Sequence, residues 1–254
     1  MKLDNKRTIL TGFAFLSICA FWQMYNSIVP LILTNTFHLN ETYSGAIMAA
    51  DNVLALFLLP LFGAISDRTN TKIGKRMPFI LFGTGCAIIL MNLLPLLDNS
   101  YAAAPSTFKT ISFVVVLGLL LVAMGTYRSP AVALMPDITP KPLRSKGNAI
   151  INLMGAVGGM LYLGVAAVLY SQKRLDAMGL TKADRLNYQP LFLIVSAIMF
   201  ISVGVLFLTI KEPKLAKENR ELEEKHPEWN LAEMDDAGHE VLPKPVRRSL
   251  GFLL

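Results

Sequence analysis

Six long apolar runs separated by polar connections form the dominant pattern of this 254-residue chain. A hydrocarbon core about 30 Å thick is crossed by roughly 20 mostly apolar residues in a helix, and each run reaches that length. The pattern therefore predicts an all-α membrane protein with six transmembrane helices, residues 1–210. The predicted spans are 8–33, 43–65, 78–97, 111–134, 148–170 and 190–210.

Composition supports a membrane protein. Hydrophobic residues make up 53% of the chain, and the mean hydropathy is +0.48. The charged 17% lies almost wholly between the spans, so no large water-soluble core is expected. The sequence contains no HExxH, GxSxG or Walker motif, and its three histidines lie in connections. We therefore predict that the protein is not an enzyme and has no cofactor and no metal site.

The distribution of basic residues predicts the orientation of the chain. Eighteen of the 24 Lys and Arg residues lie on the side of both termini and five on the opposite side, and Arg128 lies within a span. Because positive charge beside spans is retained in the cytoplasm, both termini are predicted to be cytoplasmic. These charges also explain the isoelectric point near 9.3 without a nucleic-acid partner. We predict a multi-pass protein of the plasma membrane.

The character of the chain changes after the sixth run. Residues 211–248 are highly charged and are predicted to be a solvated cytoplasmic linker, with a short helix near 215–225 that carries charges on all sides. Residues 249–254, SLGFLL, follow two arginines and look like the start of a truncated seventh span. We therefore expect the chain to be one half of a larger bundle.

The most specific motif lies between spans two and three. Residues 63–80 read GAISDRTNTKIGKRMPFI, a charged turn in which Gly74 frees the backbone and Pro78 begins the next helix. This motif resembles the signature hairpin of the major facilitator superfamily, in the form found in its sucrose-transporter and glycoside-pentoside-hexuronide branches. In span four, residues 127–140, YRSPAVALMPDITP, are similar to that family's P-x-x-A-L-x-x-D segment.

The resemblance implies the N-terminal six-helix half of a sugar or glycoside carrier. Such a carrier works by alternating access, as one half rocks against a second six-helix half in the same reading frame or in a separate chain. The resemblance favours protons over sodium as the coupling ion, since Ala55 and Leu59 stand where the melibiose-permease type has paired aspartates. The alternative function is a non-transporting membrane scaffold or an inactive truncated remnant of a transporter.

Two ionisable residues lie within the spans, where charge is unfavourable and indicates function. A carboxyl group buried without a cation favours its neutral form, so Asp51 is the candidate for proton coupling. It is equally interpreted as a structural residue satisfied by Asn52 or by water. Arg128 is a candidate for substrate binding or charge relay, and the competing interpretation is a structural pair with Asp137 on the same helix.

A sugar needs hydrogen bonds to its hydroxyl groups and a flat apolar surface for its ring. Trp22, Gln23, Tyr25 and Asn26 in span one provide both and recur at helical spacing, so they are candidate substrate-binding residues. Asn152 in span five is a further candidate. The competing interpretation makes the aromatic residues interfacial anchors, although Trp22 lies deep in its span.

The charged residues at one end of spans two and four are candidates for a gate. Opposite charges there can hold helix ends together in one state of a carrier and separate in the other. A static ion-pair cluster is the alternative. The predicted gating residues are Asp67, Arg68, Lys75, Arg76 and Asp137.

Overall fold

The structure is a computed structural model that describes residues 3–177, 179, 185–226, 229, 233–234 and 240–241. Its helices are α1 (Asn5–Leu31), α2 (Glu41–Arg68), α3 (Met77–Ala103), α4 (Thr107–Ile138), α5 (Arg144–Leu169), α6 (Gln172–Ala177), α7 (Gln189–Thr209) and α8 (Glu212–Lys225). A π-helical turn (Ile32–Thr36) extends α1, and a 3₁₀ turn (Lys141–Leu143) precedes α5. Two short strands, β1 (Glu233–Met234) and β2 (Glu240–Val241), pair antiparallel. Among the described helices, α1 to α5 and α7 are long and apolar enough to cross a membrane, which confirms the predicted fold class.

Most spanning helices extend beyond the predicted apolar runs. The predictions followed the hydrocarbon layer, whereas a helix continues into the polar layer when its ends are capped. Asp4 caps α1, since its Oδ1 accepts a hydrogen bond from the Arg7 amide at 3.0 Å. Asn40 caps α2 in the same way through the Thr42 amide at 2.6 Å. The predicted seventh span, 249–254, lies outside the described residues.

Helix α1 lies at the centre of the bundle and crosses α5 at very short range. In the most apolar 18-residue stretch of α1, 61% of the residues are buried, against 17% in the corresponding stretch of α5. A Cβ added to Gly158 would lie 2.0 Å from the Leu16 carbonyl oxygen, so only glycine permits this approach. Other glycines of α5 do not serve this crossing, since Gly159 and Gly164 face open space.

Polar side chains link the helices inside the apolar layer. The Tyr127 hydroxyl of α4 donates to the Ala14 carbonyl of α1 at 2.9 Å. Ser129 Oγ donates to the Leu59 carbonyl at 2.7 Å, which connects α4 to α2. Such bonds are favoured between membrane helices because lipid offers no alternative partner.

Helix α2 leaves much of its apolar surface uncovered by the rest of the described bundle. No residue of its most apolar 18-residue stretch is fully buried, and the side chains of Leu56 and Phe57 are 70% and 67% exposed. This surface therefore faces lipid or a further protein segment.

Replacement of Gly158 by alanine tests the α1–α5 crossing. The new Cβ would overlap backbone atoms of Leu16, so we expect Gly158→Ala to lower stability by about 1–3 kcal/mol. Thermal unfolding of the purified protein in detergent measures this as a lower Tm. Gly159→Ala is the matched control, because nothing lies within 4 Å of its added Cβ. Equal Tm values for the two variants would contradict the tight crossing.

Candidate functional site

A group of aromatic and ionisable side chains, Trp22, Tyr25, Asp51 and Arg128, lies within the spanning helices, and we call it the midspan cluster. The rings of Trp22 and Tyr25, three residues apart on α1, meet edge to face with centroids 5.3 Å apart. Arg128 of α4 places its Cζ atom 5.6 Å from the centroid of the Trp22 ring. Asp51 of α2 lies within electrostatic range of the Tyr25 hydroxyl. Three helices therefore contribute to one site.

Several polar atoms of the midspan cluster have no hydrogen-bond partner among the described residues. These buried atoms are Trp22 Nε1, the Tyr25 hydroxyl oxygen and Asp51 Oδ1. Arg128 is partly exposed and forms no ion pair with a described carboxylate. Buried polar atoms are almost always hydrogen-bonded, so donors and acceptors left over in one place make the midspan cluster a candidate site for a polar ligand.

The remaining substrate-binding candidates are not all in one place. Gln23 and Asn26 are exposed on α1, and neither side chain bonds a described residue. Exposed amides at this depth are unfavourable in lipid and fit a surface that lines a polar cavity. Asn152 instead lies in a separate cavity of about 490 Å³, together with Phe15 and Arg144.

A second group lies at one end of the bundle, where Asp67, Lys75, Arg76, Asp137 and Glu212 form what we call the hairpin network. Arg76 is the centre, with a side chain only 5% exposed. It pairs with Asp67, and its Nε donates to Asp137 Oδ2 at 2.9 Å. Lys75 Nζ lies 3.2 Å from Asp137. The ends of α2 and α4 are therefore joined through the turn before α3.

One predicted gating residue stands outside these ion pairs. Arg68 is exposed and pairs with no described carboxylate. It lines a cavity of about 560 Å³ between the hairpin, the start of α5 and α8. The guanidinium group that joins the helices is that of Arg76.

Glu212 is the member of the hairpin network that sequence reasoning missed. Its carboxylate accepts hydrogen bonds from the amides of Lys75 at 2.8 Å, Arg76 at 2.9 Å and Met77 at 2.8 Å. A carboxylate satisfies the free amides at a helix N-terminus and complements the helix dipole. Gly74 makes room for it: its φ is +119°, and an added Cβ would lie 2.2 Å from a Glu212 oxygen.

Helix α8 lies in the linker that was predicted to be solvated, and this part of the prediction is wrong. Its inner face is docked, since Glu212 and Asn219 are 1% and 5% exposed. Asn219 Nδ2 donates to the Asp137 carbonyl at 3.2 Å, and Glu223 pairs with Arg144 at 2.8 Å. The hydropathy pattern does not show that α8 is docked, because the docked residues are themselves polar. An available signal was the set of four unpaired amides that every helix start leaves, here beside a glycine.

The described residues contain no group of three or more His, Cys, Asp or Glu that could hold a metal ion. The chemistry available at the midspan cluster is thus hydrogen bonding, aromatic contact and charge.

Comparison with known proteins agrees with this architecture. The sequence profile of the Major Facilitator Superfamily matches residues 11–253. Sucrose transport protein SUC3 of Arabidopsis thaliana is 30% identical over 160 residues, which are 58% of this chain and 26% of that protein. Sucrose transport protein SUT3 of Oryza sativa subsp. japonica is 30% identical over 123 residues, 43% of this chain and 24% of that protein. Alpha-ketoglutarate permease of Escherichia coli strain K12 is 27% identical over 185 residues, 70% of this chain and 38% of that protein.

Six apolar helices, a charged hairpin after the second and a polar cluster inside the spans define a multi-pass membrane protein. The chain belongs to the Major Facilitator Superfamily, whose profile matches residues 11–253. The resemblance drawn from the hairpin motif is thereby confirmed. The matched part of the chain covers 24% of the length of the SUT3 protein and 38% of the length of the permease.

Substitution of Glu212 tests the hairpin network. Glu212→Ala leaves three amides of the α3 start without an acceptor, so we expect stability to fall by about 2 kcal/mol. Limited trypsin digestion should cleave the freed hairpin at Lys72 or Lys75 several times faster. Glu212→Gln keeps one acceptor oxygen and should be intermediate. The control is Glu221→Ala, because Glu221 is half exposed and pairs only loosely with Lys217. Cleavage as slow in Glu212→Ala as in the control would rule out this role.

Proposed function

We propose that this chain is the N-terminal six-helix part of a secondary active transporter that moves a sugar or glycoside together with a proton. The midspan cluster is the observation that carries the proposal, because it leaves donors and acceptors unpaired beside an aromatic ring. The likeness to sucrose transport proteins supports the substrate class. A second six-helix half supplies the rest of the pathway. The membrane is the plasma membrane, and both termini are cytoplasmic.

The midspan cluster suits a sugar in its chemistry. A sugar ring presents an apolar face that packs on an aromatic side chain, and hydroxyl groups that both donate and accept. Trp22 Nε1 and Arg128 are donors, Asp51 Oδ1 is an acceptor, and the Tyr25 hydroxyl is both. The exposed amides of Gln23 and Asn26 extend this lining along α1.

Asp51 couples transport to the proton in this proposal. Its carboxylate has an unpartnered oxygen and forms no ion pair with a described cation, so its charge is unfavourable in the membrane interior. A proton taken from one side neutralises the charge and allows the occupied site to close. Release of that proton on the other side restores the charge and completes the transport of one proton with each sugar.

The hairpin network provides the gate. It joins α2, α3 and α4 at one end of the bundle, through Arg76 and its bonds to Asp67 and Asp137. Access from that end requires these ion pairs to part, and the network re-forms when access moves to the other end. The second half moves against this end during the switch.

A carboxylate substrate is the second candidate. Arg128 is the observation that favours it, because this guanidinium inside the spans pairs with no described carboxylate, and guanidinium groups bind carboxylates well. The likeness to alpha-ketoglutarate permease points the same way.

Tryptophan fluorescence separates the two candidates and tests binding at the midspan cluster. The chain has two tryptophans, so Trp229→Phe leaves Trp22 as its single reporter. We expect sucrose to quench this emission and alpha-ketoglutarate to leave it unchanged. Arg128→Gln should weaken the response to sucrose about tenfold, as loss of a hydrogen bond to a charged group does. A response to alpha-ketoglutarate alone would establish the carboxylate candidate, and no response to either would favour a scaffold.

The coupling role of Asp51 is tested in the complete carrier in proteoliposomes. Asp51→Asn removes the proton-binding group, so we expect uptake driven by a pH gradient to fall to the level without a gradient. Exchange of labelled for unlabelled sugar should continue. Glu41→Gln is the matched control, since this exposed carboxylate lies in the first turn of the same helix. Gradient-driven accumulation that survives Asp51→Asn would disprove the coupling role.

A further inference from the structure

A cleft lined by basic residues lies at the end of the bundle that holds the hairpin network, and we call it the basic cleft. It has a volume of about 310 Å³ and lies between the first turn of α1, the end of α7 and the start of α8. Its charged lining residues are Lys6, Arg7, Lys211 and Lys214, with Asp4 and Glu218 as the acidic ones.

The acidic residues of the basic cleft are already engaged. Asp4 caps α1 through the Arg7 amide at 3.0 Å. Glu218 lies 3.8 Å from Lys214. The Arg7 guanidinium donates to the Ile138 carbonyl. Two exposed lysines, Lys6 and Lys211, are then left without an acidic partner among the described residues.

The floor and flank of the basic cleft are apolar. Leu10 and Leu215 are partly buried and pack against the core beneath the charges. Beside the cleft, Ile9 of α1 and Leu208 of α7 are 42% and 77% exposed. Cationic groups thus lie at the ends of two spanning helices, and an exposed apolar side chain lies three residues along the chain from Lys6 and from Lys211.

We propose that the basic cleft binds the phosphate group of an anionic phospholipid from the adjacent leaflet. The phosphate lies against Lys6 and Lys211, and the acyl chains lie along Ile9 and Leu208. Basic pockets between helix ends at a membrane surface recognise such headgroups. A soluble phosphate compound could use the lysines but not the apolar flank, so the lipid is the better match.

The lipid would also act on the hairpin network. Lys211 directly precedes Glu212, whose carboxylate holds the start of α3 from the opposite side of α8. A headgroup that holds the first turn of α8 in place therefore stabilises the contact of Glu212 with the hairpin. This role is independent of what the protein carries.

Lipid titration of the purified protein in detergent tests the proposal, with phosphatidylglycerol as the probe. We expect it to raise Tm and to appear as a bound lipid in native mass spectrometry. The double variant Lys6→Gln/Lys211→Gln should bind about tenfold more weakly or worse, since each basic residue near a lipid surface adds to the attraction. Lys72→Gln/Lys217→Gln is the control, because it removes the same charge from exposed positions outside the cleft. It should bind within twofold of the unchanged protein.

Three outcomes would overturn the proposal. Equal losses in the two double variants would show general charge attraction. Equal binding of phosphatidylcholine with the same acyl chains would show recognition of the chains alone. Equal binding of soluble glycerophosphoglycerol would show a site for a free phosphate compound.

Discussion

The lack of water in the hydrocarbon layer is the constraint on which this structure depends. Every backbone polar group there must be satisfied within a helix, and every polar side chain must find a partner in the protein. Tyr127 and Ser129 meet this demand by bonding carbonyl groups of neighbouring helices. The midspan cluster leaves three buried polar atoms without a partner among the described residues, which is the arrangement expected where a polar ligand binds.

Helix packing brings the site together. Because Gly158 lets α5 approach the backbone of α1, α1 takes a central position, with its Trp22 and Tyr25 within reach of α2 and α4. A larger residue at Gly158 would move the helix that carries both aromatic rings. The fold and the site thus share one geometric requirement, although the glycine touches no member of the cluster.

Helix α8 connects the polar end of the bundle to the chain that follows it. Glu212 holds the start of α3, Asn219 bonds the end of α4, and Glu223 pairs with Arg144 at the start of α5. The same short helix borders the basic cleft on its other side. Helix α8 is mostly charged, so hydropathy does not single it out. It nevertheless connects three helix ends to the basic cleft. Motion at this end of the bundle must involve α8.

The sequence alone determined the spanning helices and the family, because both depend on local signals. Apolar length predicts a span without knowledge of its neighbours, and the hairpin motif is contiguous in residues 63–80. Only the tertiary structure decided which residues meet. Arg76 and Asp137 pair across 61 positions, Met77 and Glu212 across 135, and no periodicity reports such distances along the chain. The tertiary structure also placed Asn152 in a cavity that Trp22 does not line. Helical spacing describes one face of a helix but not which faces of different helices meet.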